Sequence, residues 1–293
     1  MKIKFHGVRG STPSPGPATI RYGGNTSCVH VQLQNGKHIV LDAGTGLRLL
    51  GHELARINDP IYLLLSHGHW DHIQGYPYFA PIYQPEREIN VITSGPSGQR
   101  LLYSLFDQMD GSHFPVKAQE LPSRSVCISD NSESILKAHG INITRKALNH
   151  PGSGTAYLID DDGIRCAYIT DNELEPPYKV HTSYDEWVEF CSGVDVLIHD
   201  AQYTEHDMPH KHGWGHSLIS QVRQLAVDAE VGSLVMFHHD PDRSDGELDE
   251  IARENEIYFS GKRAPARSYC AREGMEIRVS RNLAGGDTVF EIR

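Results

Sequence analysis

Residues 66–72 read Ser-His-Gly-His-Trp-Asp-His, and this HxHxDH string follows directly on the apolar run Ile61-Tyr-Leu-Leu-Leu. A short strand that runs straight into four metal-ligand side chains is a strong constraint, because such side chains act together only at a sheet edge where several strand ends converge. On an extended exit His67 and His69 project to the same side, whereas Asp71 and His72 lie past a turn and face a second point in space. That geometry suits two metals better than one. Imidazole is a common ligand for zinc and other borderline ions, and an aspartate placed between such ions can hold a metal and accept a proton from bound water.

Further segments carry similar side chains at the ends of strand-like runs: Leu148-Asn-His150-Pro-Gly, Tyr168-Ile-Thr-Asp171 and Leu234-Val-Met-Phe-His238, together with the early Leu41-Asp42-Ala-Gly44-Thr-Gly46. Taken with HxHxDH, and in this order, they resemble the metallo-β-lactamase superfamily over nearly the whole chain. The resemblance implies an α/β fold, a four-layer αβ/βα sandwich of two mixed sheets flanked by helices, with the metals at one edge of the sheet pair. It implies one metal on His67, His69 and His150, a second on Asp71, His72 and His238, Asp171 bridging them, and Asp42 supporting the site from behind. His239 follows His238 at once, and only one of the two can point inward along an extended strand; His238 closes the apolar run and is taken as the ligand.

Composition sets the remaining bounds. A chain of 293 residues can bury a large core, and one domain is expected. No apolar run approaches the roughly 18 residues of a membrane span. The start, Met1-Lys-Ile-Lys-Phe-His-Gly, enters strand-like alternation without a signal-peptide pattern, so a cytoplasmic protein is expected. Five cysteines, odd in number and without a CxxC pair, read as free thiols in a reducing compartment. The formal net charge of −11 leaves no general basic surface for a polyanion, so no long nucleic acid is expected as partner, while a homodimer is compatible with the chain. A small phosphate ester is not excluded, because two divalent metals would place about four positive charges in the pocket.

Strand-like segments fall in two groups: 2–7, 27–34, 38–42, 61–66 and 89–93, then 141–147, 155–160, 165–170, 194–200 and 233–238. Helical patterns lie between them at 46–57, 97–108, 182–190, 217–229 and 245–255. Two similar halves of strands and helices fit two sheets packed face to face with helices outside. Residues 9–26 and 106–123 are turn-rich and do not read as core.

Two metals about 3.5 to 4 Å apart share a water, lower its pKa towards ~7 and clamp a substrate oxygen as negative charge develops. A nucleophile then needs no reactive side chain, and Asp71 is the candidate to take its proton. Zinc suits five histidines and two aspartates, with manganese or iron as alternatives. Gly213-Trp214-Gly215-His216-Ser217 resembles the histidine-serine motif of the superfamily's phosphodiesterase branch, which includes ribonuclease Z; the resemblance gives His216 the role of acid and phosphoryl clamp. In Ile198-His199-Asp200-Ala-Gln-Tyr203, either Asp200 or His199 is the candidate support for a ligand. The N-terminal Gly7-Val-Arg9-Gly10-Ser11 and Arg21 through Cys28 look like the small-substrate members related to phosphoribosyl cyclic phosphodiesterase and bacterial cyclic-nucleotide phosphodiesterases. There Arg9, Asn25 and Thr26 are candidates to support the site or hold substrate phosphate. The expectation is a dinuclear metal phosphodiesterase acting on a small cyclic phosphodiester, a cyclic nucleotide or cyclic ribose phosphate. A ribonuclease Z-like endonuclease, a lactone or thioester hydrolase and a noncatalytic nucleotide-binding sensor are the alternatives.

Overall fold

The structure is a computed structural model that describes residues 1–93, 98–128, 132–264, 267–281 and 288–293. Its strands, in chain order, are β1 (Lys2–Gly7), β2 (Cys28–Gln32), β3 (His38–Leu41), β4 (Ile61–Leu64), β5 (Glu88–Ile92), β6 (Arg124–Ile128), β7 (Asn142–Ala147), β8 (Thr155–Asp161), β9 (Ile164–Ile169), β10 (Val196–Asp200), β11 (Ser233–Phe237), β12 (Arg267–Cys270), β13 (Glu276–Arg281) and β14 (Thr288–Ile292). The helices are α1 (Leu47–Leu54), α2 (Trp70–Ile73), α3 (Gly98–Asp107), α4 (Ser132–Ala138), α5 (Tyr184–Cys191), α6 (Ile219–Asp228) and α7 (Asp245–Phe259). The helix expected from residue 97 begins, within the described residues, at Gly98; Ser97 itself lies outside them.

One sheet has the order β14-β13-β1-β2-β3-β4-β5-β6 and the other β12-β11-β10-β9-β8-β7. Both are mixed: β3 to β6 run parallel, as do β9 to β12, and the remaining pairs are antiparallel. The two groups of strand-like segments fall in separate sheets, as expected, and only the C-terminal strands depart from the division. The C-terminal hairpin β13-β14 crosses back to pair with β1, with Ile277 opposite Ile3.

Alternation along each strand divides its apolar residues between two layers. Phe5, Val31, Ile39, Leu41 and Leu64 meet Tyr157, Tyr168, Ile198 and Phe237 in a core between the sheets. Their outward neighbours Val40, Leu63 and Val91 pack under α1 and α3, while Ala167, Leu197, Leu234 and Met236 pack under α5, α6 and α7. Three apolar layers between four layers of secondary structure give the αβ/βα sandwich. Helices α5 and α7 start at Ser183 and Ser244, each accepting the backbone N–H three residues on while Glu186 or Glu247 reaches back, a reciprocal cap that sets where the helix begins.

The two turn-rich segments are less peripheral than their composition suggests. Phe114, Val116, Ala118 and Leu121 pack against the layer under α1 and α3. In the N-terminal loop Arg9 and Thr26 are fully buried. Among the described residues no helix is long and apolar enough to cross a membrane.

Candidate metal centre

Six segments deliver side chains to one edge of the sheet pair: the exits of β3, β4, β7, β9, β10 and β11. Three of these exits turn through a left-handed residue that is not glycine, Asp42 (φ 61°), Asp171 (φ 48°) and His238 (φ 57°). A left-handed residue with a side chain costs on the order of 1–3 kcal/mol and persists only where its surroundings hold it. Here the turn swings each side chain out of the strand direction and across the edge.

Among the described residues three groups of donor atoms result: two share Asp171, and a smaller third joins Asp200 and His216 to His238. His67, His69, His150 and Asp171 form the first, and Asp71, His72, Asp171 and His238 the second, with the donor atoms of each cluster within 4.8 Å of one another. In the second, Nε2 of His72 lies 3.1 Å from both Asp71 Oδ2 and Asp171 Oδ1, and Nε2 of His238 lies 3.2 and 3.1 Å from the same two atoms. A regular tetrahedron with such edges has its centre about 1.9 Å from each corner, close to zinc–nitrogen and zinc–oxygen bonds of about 2.0–2.2 Å. In the first cluster Asp171 presents its other oxygen, Oδ2, 3.6 Å from His67 Nε2 and 3.8 Å from His150 Nε2, and His150 Nε2 faces His69 Nδ1 at 3.0 Å.

The far side of each ring shows which nitrogen is free. Nδ1 of His72 donates to Asp42 Oδ2 at 2.8 Å, Nδ1 of His150 to the Gly215 carbonyl at 2.9 Å, and Nδ1 of His238 to Gln202 Oε1 at 2.8 Å. Nδ1 of His67 donates to Ser66 Oγ at 3.0 Å, whose own proton goes to Asp42 at 2.8 Å. Each arrangement leaves an Nε2 lone pair directed into the cluster. Nε2 of His67 is buried without a hydrogen-bond partner, which costs free energy unless a cation takes it. The donor set therefore fits divalent metal ions.

Electrostatics agree. Burial holds His67 well below the ordinary histidine pKa and brings His150 down to about 4, so the first cluster offers neutral imidazoles. For His72 burial acts the same way, but Asp171, Asp71 and Asp42 outweigh it and hold the pKa well above the ordinary value. A metal entering the second cluster displaces that proton, and metal affinity falls as pH falls.

Asp42 sits behind the site, accepting from His72, from the Ser66 amide and hydroxyl, and from Tyr168 Oη at 2.8 Å. Replacing it with asparagine removes the charge that fixes the His72 ring, and metal affinity should fall by about 10- to 100-fold. Competition with a chromogenic chelator measures this; unchanged affinity would remove Asp42 from that role.

His216 lies beside both clusters, its ring stacked on His238 at 5.0 Å between centroids and 5.4 Å from His150. Its Nδ1 donates to Asp200 Oδ2 at 2.9 Å. Asp200, not His199, reaches the site: His199 binds only the Asp200 carbonyl, and its Nε2 faces no partner. His238 is the member of its pair brought to the centre, while His239 turns away to the Ala271 carbonyl.

Arg9, Asn25 and Thr26 stand behind the site, in the supporting one of their two expected roles. Arg9 is fully buried and donates to the backbone carbonyls of Gly23, Asp240 and Arg243. Asn25 gives its amide and side chain to Glu273, and Thr26 exchanges hydrogen bonds with Thr45. All three hold the N-terminal loop, whose Ser11 amide in turn donates to Asp71 Oδ2 at 2.8 Å.

Three contributors carry no signal of their own in the sequence, although Ser11 and Gln202 lie inside the 7–11 and 198–203 strings. Gln202 orients His238, Ser11 holds Asp71, and buried Glu173 accepts the Gly213 and Gly215 amides, fixing the loop that carries His216. Glu173 lies two residues beyond Asp171, the only hint of its place.

The family profile described as the beta-lactamase superfamily domain matches residues 37–239. Ribonuclease Z of Haloarcula marismortui is 23% identical, covering 95% of this chain and 97% of its own, and ribonuclease Z of Halalkalibacterium halodurans is 23% identical over 81% and 87%. Among solved structures, the metallo-beta-lactamase fold protein YhfI from Bacillus subtilis superposes with a TM-score of 0.67 at 18% identity, over 94% of this chain and 98% of that one. A diphosphatase from the PhnP family gives a TM-score of 0.65 at 18% identity, over 95% and 98%. The profile spans well over half of the sequence and includes every residue of the two donor clusters, and the chain belongs to the metallo-β-lactamase superfamily of metal-dependent hydrolases.

Proposed function

We propose that this chain is a dinuclear metal phosphodiesterase that hydrolyses a small phosphodiester, a cyclic nucleotide or a cyclic ribose phosphate. The observation that carries the reading is the pair of donor clusters sharing Asp171, with the His216–Asp200 pair placed against both. When bound, two divalent ions, zinc first among them, supply an activated water and neutralise charge building on the phosphoryl oxygens. Asp71, held by the Ser11 amide, takes the proton of the attacking water. His216 works at the leaving group. Its Nδ1 is committed to Asp200, so its Nε2 is free to give a proton to the departing oxygen.

The ring has reason to be protonated. Burial opposes the charge, yet the charge and hydrogen bond of Asp200 outweigh it and bring the His216 pKa up to about 9. Cations bound nearby would oppose that charge and lower the value.

A ribonuclease Z-like activity on RNA is the second reading, favoured by the curated relatives that carry that name. Against it stands the net charge of −11, since an RNA of many phosphates is held mainly by clustered Lys and Arg. The metal-loaded protein, assayed on 2′,3′- and 3′,5′-cyclic nucleotides beside a tRNA precursor, should give the larger kcat/KM on a cyclic diester. Efficient cleavage of the precursor with cyclic nucleotides untouched would make the second reading correct.

A further inference from the structure

His216 forms part of the wall of a cavity of 180 Å³ whose apolar sides come from Met208, Pro209 and Leu218. Two of its polar side chains are already committed. Glu173 accepts the Gly213 and Gly215 amides, and His212 Nε2 donates to the Glu175 carbonyl at 3.1 Å. Two groups are left over. Glu175 is exposed, and among the described residues its carboxylate makes no ion pair or hydrogen bond. Gln221 accepts the Leu218 amide through Oε1 at 3.1 Å, which leaves its Nε2 as a donor without a partner among the described residues.

His216 gives its proton to the departing oxygen, and in a cyclic nucleotide that oxygen stays on the ribose when the ring opens. Ribose and base therefore lie on the side of His216. Two carboxylates disfavour phosphate in this cavity, whereas apolar walls suit a flat neutral ring. At about 30 Å³ per water, 180 Å³ holds about six waters, room of the order that one base needs. The carboxylate is selective among bases, because it accepts two parallel hydrogen bonds only from two adjacent donors. Among the common bases guanine alone offers them, N1–H and the 2-amino group, with O6 alongside to accept from an amide. Adenine and cytosine set a ring-nitrogen lone pair beside their amino group, and uracil flanks its one N–H with two carbonyls. An enzyme that reads this edge of the base separates them by hydrogen bonding.

We propose that this cavity is the base subsite of the substrate, with Glu175 accepting from guanine N1–H and the 2-amino group and Gln221 Nε2 donating to O6. The proposal rests on the phosphodiesterase reading and narrows it to a guanine cyclic nucleotide. Guanosine, inosine and adenosine 3′,5′-cyclic phosphates test it, since inosine keeps N1–H and O6 but lacks the 2-amino group. The metal-loaded wild type should show a kcat/KM about 10- to 100-fold higher on the guanine than on the adenine substrate, the range for hydrogen bonds to a charged group, with inosine between. Glu175→Gln places an N–H2 against those donors and should bring the guanine-to-adenine ratio close to one through loss on guanine. No wild-type preference for guanine, or a preference that survives Glu175→Gln, overturns the subsite. Hydrolysis of a cyclic ribose phosphate with all three nucleotides untouched also overturns it, while the diesterase reading stands. Failure on every cyclic diester overturns both.

Discussion

Replacing Asp171 with asparagine is expected to empty both metal positions together. One carboxylate oxygen faces each cluster, Oδ1 towards His72 and His238 and Oδ2 towards His67 and His150, so a single substitution removes a charged donor from two sites. Asparagine is the informative choice because it tolerates the left-handed backbone at φ 48° better than other side chains of its size. Metal content should fall from near two ions per chain to below one, and diester hydrolysis should slow by about 10³-fold or more, the equivalent of several kcal/mol of lost charge stabilisation. Elemental analysis of the dialysed variant decides it. Retention of two ions would take Asp171 out of the bridging position.

His216→Ala is expected to behave in the opposite way, keeping both metals and losing rate. Asp200 does not become an isolated buried charge in this variant, because the Asn172 and Gln202 amides still donate to it. Hydrolysis of nucleoside diesters should slow by about 10² to 10⁴, the range for a positioned acid. Nitrophenolate needs little protonation on departure, so a nitrophenyl diester should lose much less. Equal losses on both substrates would assign His216 to charge stabilisation rather than proton transfer. Loss of metal would instead make it a ligand.

Much of this centre is legible in the sequence because its side chains sit where strands end, and strand ends are visible as apolar runs that stop. Leu234-Val-Met-Phe before His238 and Tyr168-Ile-Thr before Asp171 are such runs, and the turn after each aims one side chain across the sheet edge. The supports are less visible. Gln202 and Ser11 act through contacts that span 36 and 60 residues, and neither residue type announces such a role. Arg9 misleads for a related reason. Glycine and proline around it read as an exposed loop, yet short bridges to Thr26 and His239 draw it inside, where backbone carbonyls accept from its Nε and Nη1. The return of β13 and β14 to the first sheet also escapes sequence reading. Alternation marks a strand and its buried face, but carries no record of which distant strand it will pair with.

Stepwise reconstitution of the chelator-stripped protein with zinc, following hydrolysis of bis(p-nitrophenyl) phosphate, bears most directly on the dinuclear reading. Activity should be negligible without metal and should rise to a plateau at two equivalents per chain. Full activity in the stripped protein, or a plateau at a single equivalent, would contradict a centre in which two ions share Asp171.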